Sequence, residues 1–431
     1  MGDEEFQKSI DIFANSLNSI LILPVKIAAE LSVDGIISAS ILAKALTQKN
    51  CNFSLSFYCD FNDKIIRELS LNPCDNIMII GSNIKNIISI EHKNLFSISN
   101  NKLFISNTLN ADVTLSAVFS SYLVAKQLHN PISELSYLTL IPFYDKNNEL
   151  LSDILKESLE SKKISKSKGF NIFGSNTRQF HKVLEYSIDP FLLGVSGYEE
   201  NAINIIKEIG IGFKDDGFCS MIDLEEEDMN RFINILGINH NIKKEDIILF
   251  NSEEANSPLR DFREFKDFLQ ACVTLNRPSD AVAKCLGCKQ IKNSALEILR
   301  EYKLNIINAL NLFFTESSSF TITKDNITLV NYGNKIDERI LETVSSIIFK
   351  HNSALLSNRI IITCSTNHGK LKCCIPETCL DSDFEKLLTN LNIKHKIIDN
   401  IVSYYVDMPE SDFLQYILDN LAKTKTEKII S

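Results

Sequence analysis

Apolar residues along the chain change their spacing, and the changes divide it into elements. Phe6, Ile10, Phe13 and Leu17 recur at three- and four-residue intervals and predict a helix over residues 4–18. From Ile22 the chain reads as a buried strand, then a turn, then a helix over Ile36–Leu46. Phe53, Leu55 and Phe57 alternate with polar residues, as in a half-buried strand. Asn76–Gly81 is a short apolar run stopped by glycine, and Leu95–Ser99 and Lys102–Ser106 give two more strands. Asp112 reads as the cap of a helix running through Ala117 and Tyr122 to Leu128. Strands alternating with helices predict an α/β fold with a mostly parallel sheet covered on both faces.

Residues 152–170 turn polar, serine-rich and basic, and their second half predicts a linker or surface crossing. Residues 178–316 read as largely helical, with Asp223 as a cap ahead of Glu225, Glu226 and Glu227. Arg260–Leu275 and Ser294–Phe314 have long helical periodicity. The pattern then returns to α/β. Phe320–Thr323, Ile327–Asn331, Arg359–Cys364 and Leu371–Ile375 predict strands, and helices fall near 337–349, 382–391 and 411–422.

The strand-turn-helix after Ile22 matters most for chemistry. Its turn lies at the carboxyl edge of a parallel sheet, where open α/β sheets bind ligands. Glu30, Ser32 and Asp34 stand at alternate positions in it. The three could hold one weak metal ion. The plainer reading is that Asp34 caps the following helix and Gly35 eases the turn.

With 431 residues, the chain is long enough for two or three domains. Its net charge of −10 argues against a surface that grips nucleic acid throughout, while leaving room for a local basic groove. Lys162, Lys163, Lys166 and Lys168, and the tail lysines 423, 425 and 428, are basic enough to touch phosphate. A solvated face is the simpler reading of both groups. No apolar run is long enough to span a bilayer, and Met1–Glu5 is acidic where a signal peptide is basic, so a cytoplasmic protein is expected.

Several stretches together resemble the DHH phosphoesterase superfamily, specifically the archaeal RecJ-like proteins, or GINS-associated nucleases. Their eukaryotic relative is cell division control protein 45. Asn176-Thr177-Arg178-Gln179-Phe180-His181-Lys182-Val183-Leu184-Glu185-Tyr186-Ser187-Ile188-Asp189-Pro190, followed by Gly194 and Gly197, is the most specific match. Arg263-Glu264-Phe265, Ala271-Cys272, Arg277-Pro278, Leu286-Gly287 and Glu301-Tyr302 match the next block. The resemblance implies a degenerate DHH domain over residues 1–160, with a parallel sheet. It also implies a helical middle region and connector over 161–316, and a smaller α/β DHH-associated domain over 317–431.

Active members of that superfamily hold two divalent metals, typically manganese, which activate a water and stabilise the leaving oxygen. Matched motif by motif, the metal positions in this chain are Glu30, Ser32 and Asp34, then Ile79, then Ser99, Asn100 and Asn101, and finally Asp145. Most carry no charge and no imidazole. The family's glycine-rich phosphate loop corresponds to His395–Val402, which has no glycine. The resemblance therefore implies no cofactor and no catalysis. It implies a scaffold in DNA replication: a subunit of a CMG-like replicative helicase, binding GINS and through it MCM, and guiding single-stranded DNA. The alternative is a manganese-dependent single-strand exonuclease or phosphodiesterase of the same type.

Cys285-x-x-Cys288 and Cys373-Cys374-x4-Cys379 could be imagined as two halves of a zinc site. They are expected in different domains, so they read as core thiols. His368 reads as a hairpin residue, and His181 as a satisfied residue between domains. The other histidines form no spaced cluster.

Overall fold

A computed structural model of the chain describes residues 3–81, 94–106, 108–112, 116–128, 130–143, 149–170, 172–210, 213–214, 217–218, 220–221, 224–236, 244–254, 257–316, 319–324, 327–351, 360–367, 370–380, 382–391, 393, 395–398, 400–406, 411–413 and 415–416. These form two compact units. One comprises residues 1–178 with 243–299, and the other 179–242 with 300–431. The expected middle region is thus shared out: 161–178 and 243–299 pack with the first unit, 179–242 and 300–316 with the second.

The first unit is built on a six-stranded sheet. Its strands are β1 (Val25–Glu30), β2 (Phe53–Tyr58), β3 (Asn76–Gly81), β4 (Asn94–Ser99), β5 (Lys102–Ile105) and β6 (Leu109–Asp112), in the order β2-β1-β3-β4-β5-β6. β2, β1, β3 and β4 run parallel, and β4, β5 and β6 form an antiparallel meander. Helices α1 (Asp3–Ile20), α2 (Val33–Gln48), α3 (Asp63–Ser70), α4 (Ala117–Leu128) and α5 (Glu149–Glu160) belong to the same unit. Parallel strands buried on both faces must be apolar throughout, and β3 is buried at all six positions. Helix α2 is buried on most of its circumference, from Gly35 through Leu46, and packs against α4 and β1. The order β2-β1-β3 reverses direction at β1, so the carboxyl edge between β1 and β3 is a topological switch point.

Two expectations are corrected here. Asp112 does not cap a helix. It ends β6, paired with Lys102, and α4 begins at Ala117. Residues 164–170 are not a linker but strand β7 (Ile164–Phe170). The predominantly helical 178–316 stretch supplies its antiparallel partner, β10 (Lys244–Phe250). Between them the chain forms α6 (Phe180–Glu185), α7 (Glu199–Ile209), the two-residue strands β8 (Phe213–Lys214) and β9 (Gly217–Phe218), and α8 (Glu226–Leu236), all in the second unit. Helices α9 (Phe262–Thr274) and α10 (Pro278–Cys285) return to the first unit, and α11 (Lys292–Glu316) runs on into the second.

The second unit carries another six-stranded sheet. It contains β11 (Thr321–Lys324), β12 (Ile327–Asn331), β13 (Ile360–Asn367), β14 (Lys370–Pro376), β15 (His395–Ile398) and β16 (Ile401–Val406), in the order β11-β12-β13-β14-β16-β15. One face buries Leu329, Ile362, Leu371 and Tyr404 in a core shared with Phe413 and with Phe384 and Leu388 of helix α13 (Ser382–Asn390), with α12 (Leu341–His351) also in this unit. The glycine-free stretch 395–402 falls in the β15–β16 hairpin, where branched Ile and Val suit strand geometry. Asp145, Asp223 and His368 lie outside the described residues, as does most of the expected helix 411–422.

Candidate functional site

The carboxyl edge of the first sheet gathers the ends of β1, β3 and β4: Glu30, Gly81 and Ser99. Glu30 closes β1 and is buried. The chain then turns tightly, with Leu31 N donating to Tyr58 O at 2.7 Å and Ser32 N to Glu30 O at 2.9 Å. Ser32, not Asp34, is the N-cap of α2. Its hydroxyl accepts from Gly35 N at 3.1 Å. A hydroxyl caps a helix by this bond to an otherwise unpaired amide, and an acid in the first turn, where Asp34 sits, gains from the helix dipole. Gly35 does more than ease a turn. A Cβ there would stand far inside 3.0 Å of the Glu30 carbonyl, so β1 and α2 meet only because the side chain is absent.

The remaining positions have structural occupations of their own. Ile79 is fully buried in β3, in an apolar cluster with Ala28, Ile66, Leu69, Ile77 and Leu95. A carboxylate in that cluster would be stripped of water without a partner. Ser99 donates to Lys102 O at 3.4 Å across the β4–β5 hairpin. Asn100 and Asn101 form the hairpin tip, and Asn101 takes a left-handed φ of 62°, which asparagine tolerates better than most residues. The Asn100 side-chain oxygen accepts from Ala117 N at 2.9 Å, the first amide of α4. Ser116 caps the same end through Phe119 N at 3.3 Å. The motif position that the resemblance assigns to an imidazole thus holds a helix terminus in place. We expect Asn100→Ala to cost about 1 kcal/mol of unfolding free energy, the usual worth of a cap, measured by urea denaturation.

The fold brings Glu30, Ser32 and Asp34 to one edge with Ser99, Asn100 and Asn101, while Ile79 stops two residues short of it, inside the core. Two divalent cations need several hard anionic or imidazole ligands converging on them. Among the described residues no group of three or more His, Cys, Asp or Glu side chains could hold a metal ion. The described residues do not fit a two-metal centre. Cys285 and Cys288 lie in the first unit and Cys373 and Cys374 in the second. Burial pushes the Cys285 thiol up to about 12, so it is a core thiol and a poor ligand at neutral pH.

A second constellation carries no assignment from the sequence, although its residues lie in the family blocks. Thr177 donates its hydroxyl proton to the Glu264 carboxylate, and Arg178 Nε stands 3.4 Å from Glu264 Oε2. Asn176 donates to Asp261 at 3.1 Å, and Asp261 caps α9 and pairs with Arg263 at 2.7 Å. Arg263 also reaches Phe170 O, at 2.8 Å. Glu264 is 1% exposed. Burial raises its carboxyl to about 7, against the pull of Arg178 and Thr177. This network ties the end of β7 to α9. The signal for it in the sequence was the pairing of Thr-Arg in one block with Arg-Glu in the next.

In the second unit, Lys182 bridges Glu185 at 2.7 Å and Glu199 at 2.8 Å. His181 is buried 3.4 Å from Glu199, a partner in its own unit rather than between domains. Desolvation holds its imidazole below the ordinary range, with Lys182 adding to the effect.

Residues 172–247 match the family model of the DHH-CID domain. No curated protein sequence matches the chain. Among solved structures, it is similar to CDC45 from Entamoeba histolytica, with a TM-score of 0.62 at 11% identity, covering 97% of this chain and 98% of that one. It is also similar to a manganese-bound exonuclease RecJ, with a TM-score of 0.53 at 10% identity, covering 93% and 90%. RecJ from Thermus thermophilus in complex with Mn2+ gives 0.52 at 10% identity, covering 93% of this chain and 52% of that one. The α/β fold is therefore that of the DHH, RecJ and CDC45 proteins. The chain therefore shares this fold, and within it residues 172–247 match a DHH-CID domain. No helix among the described residues is long and apolar enough to cross a membrane.

Proposed function

We propose that this chain is a non-catalytic subunit of an archaeal CMG-like replicative helicase, binding GINS and through it MCM in the cytoplasm, and guiding single-stranded DNA. The observation that carries the reading is the reuse of the metal positions. Ile79 fills the core, Ser32 caps α2, and Asn100 holds the start of α4. The likeness to CDC45 over nearly the whole of both chains supports it.

A partner assay tests it. Mixed with the GINS complex of the same organism, the chain is expected to co-elute in size-exclusion chromatography. Separate elution at micromolar concentrations would remove the helicase-subunit reading. The likeness to manganese-bound RecJ, together with the acids Glu30 and Asp34 at the edge, favours the second reading, a manganese-dependent exonuclease. End-labelled single-stranded DNA incubated with the chain and manganese is expected to stay intact. Degradation abolished by Asp34→Ala would establish the enzyme instead.

A further inference from the structure

The chain's net charge of −10 opposes polyanion binding as a whole, but the β7–β10 ribbon is locally rich in lysine. Residues 161–170 and 244–250 contain five lysines, Lys162, Lys163, Lys166, Lys168 and Lys244, against two acids, Glu245 and Asp246. All five lysines are exposed. The two acids are engaged locally, Asp246 by Lys168 and Glu245 by Arg263 at 3.4 Å. Of the acids flanking the ribbon, Glu160 is exposed just before Lys162, and Glu253 and Glu254 pair with Lys284 and Lys292.

The lysines are held in a fixed arrangement. Strand periodicity puts Lys166 and Lys168 on one face of β7, about 6.6 Å apart along it. The turn carrying Lys162 and Lys163 is pinned to the end of β10: Asn251 N donates to Lys163 O and Asn251 Nδ2 to Lys162 O, each at 3.0 Å. Ser165 adds a bond to Asn251 Oδ1 at 2.7 Å. At the other end, Lys244 stands over the Phe170 ring at 5.1 Å. The ribbon is anchored at the Phe250 end, where that ring packs on Phe262 and Phe265. Its two aromatic residues, Phe170 and Phe250, are both buried, so no ring is offered for stacking on a base.

We propose that this ribbon is a docking surface for the phosphate backbone of a single-stranded polynucleotide. A row of lysines without exposed aromatics grips phosphate and ignores base identity, so binding is sequence-indifferent and steeply salt-dependent. The inference rests on the proposed helicase role only for the single-stranded form of its ligand.

Fluorescence anisotropy of a labelled thirty-nucleotide oligothymidylate with the full chain at low salt tests it. The wild-type chain is expected to bind. The variant Lys162→Glu/Lys163→Glu/Lys166→Glu/Lys244→Glu is expected to bind at least tenfold more weakly. Its slope of log affinity against log salt should be shallower by about 3, from a slope of about 0.7 per phosphate contact on single strands. An unchanged melting temperature shows that the variant is folded. Equal binding by wild type and folded variant overturns the proposal, as does no binding by wild type. Equal or tighter binding of a duplex of the same length overturns the single-strand assignment. Displacement of the DNA by polyglutamate at equal charge overturns it too, because it marks indifferent ion exchange. Co-elution of the same variant with GINS separates failure here from failure of the helicase reading.

Discussion

Gly35→Ala is expected to destabilise the first unit by about 2–4 kcal/mol, at the upper end of single-substitution effects, with a matching fall in the urea midpoint. The cause is a backbone collision. The added methyl would meet the carbonyl carbon and oxygen of Glu30, with the Ser32 hydroxyl next to them. A flexible side chain could swing aside, but this carbonyl cannot. It terminates β1 and accepts from Ser32 N, while the next amide is held by Tyr58 O. Moving it drags α2, and α2 is packed on nearly all sides. The comparison variant is Ser32→Ala, which deletes only the cap and is expected to cost about 1 kcal/mol. A loss for Gly35→Ala no larger than that of Ser32→Ala would mean the strand–helix junction yields more easily than its geometry implies.

The same junction shows what could be read from the sequence. A strand, a turn with alternating polar residues and a helix were all visible in the order of apolar positions, and β3 and β12 have the bounds their apolar runs suggest. That the turn lies on a sheet edge follows from the α/β alternation. Which residue does the capping does not, because Ser32 and Asp34 are both good caps and only the backbone path chooses between them. Asp112 misleads for a related reason: an acid before an apolar stretch is as consistent with a strand end as with a helix start. Strand β7 is hidden because lysines fill its exposed positions and its pairing partner β10 lies beyond an inserted block. Composition there reports solvent exposure, which strand and linker share. The role of Asn100 was equally illegible, since its partner, Ala117 N, is fixed by the meander between them and by no local pattern.

Arg178→Ala is expected to cost about 1–2 kcal/mol more at pH 8 than at pH 5, because the lost cation matters only while Glu264 is ionised. The difference arises from Glu264. Its carboxyl titrates at about 7 in the folded chain, against an ordinary value of 4.5, because burial penalises the charged form more than Arg178 and Thr177 reward it. A carboxyl whose folded value is raised binds its proton more tightly in the native state. Its contribution to stability is therefore full below pH 4.5 and is lost as pH rises through about 7. At pH 5 the neutral acid needs no cation, so deleting Arg178 removes mainly packing on Phe173, whose ring lies 4.7 Å from the guanidinium. At pH 8 the deletion drives Glu264 to take up a proton, which costs about 1.4 kcal/mol, one pH unit above a value of about 7. Glu264→Gln supplies the control, since the amide can still accept from Thr177 and cannot ionise. Wild type minus this variant should show a stability difference that drifts by about 3 kcal/mol between pH 4.5 and 7, with wild type losing ground. His181 moves the other way: its lowered folded value withdraws stability as pH falls below the ordinary imidazole range, and the subtraction cancels it. Urea unfolding of the three chains at pH 5 and pH 8 decides the matter. An Arg178→Ala penalty that is large and equal at both values would mean that Glu264 keeps its charge throughout. The network tying β7 to α9 would then be an ordinary ion pair.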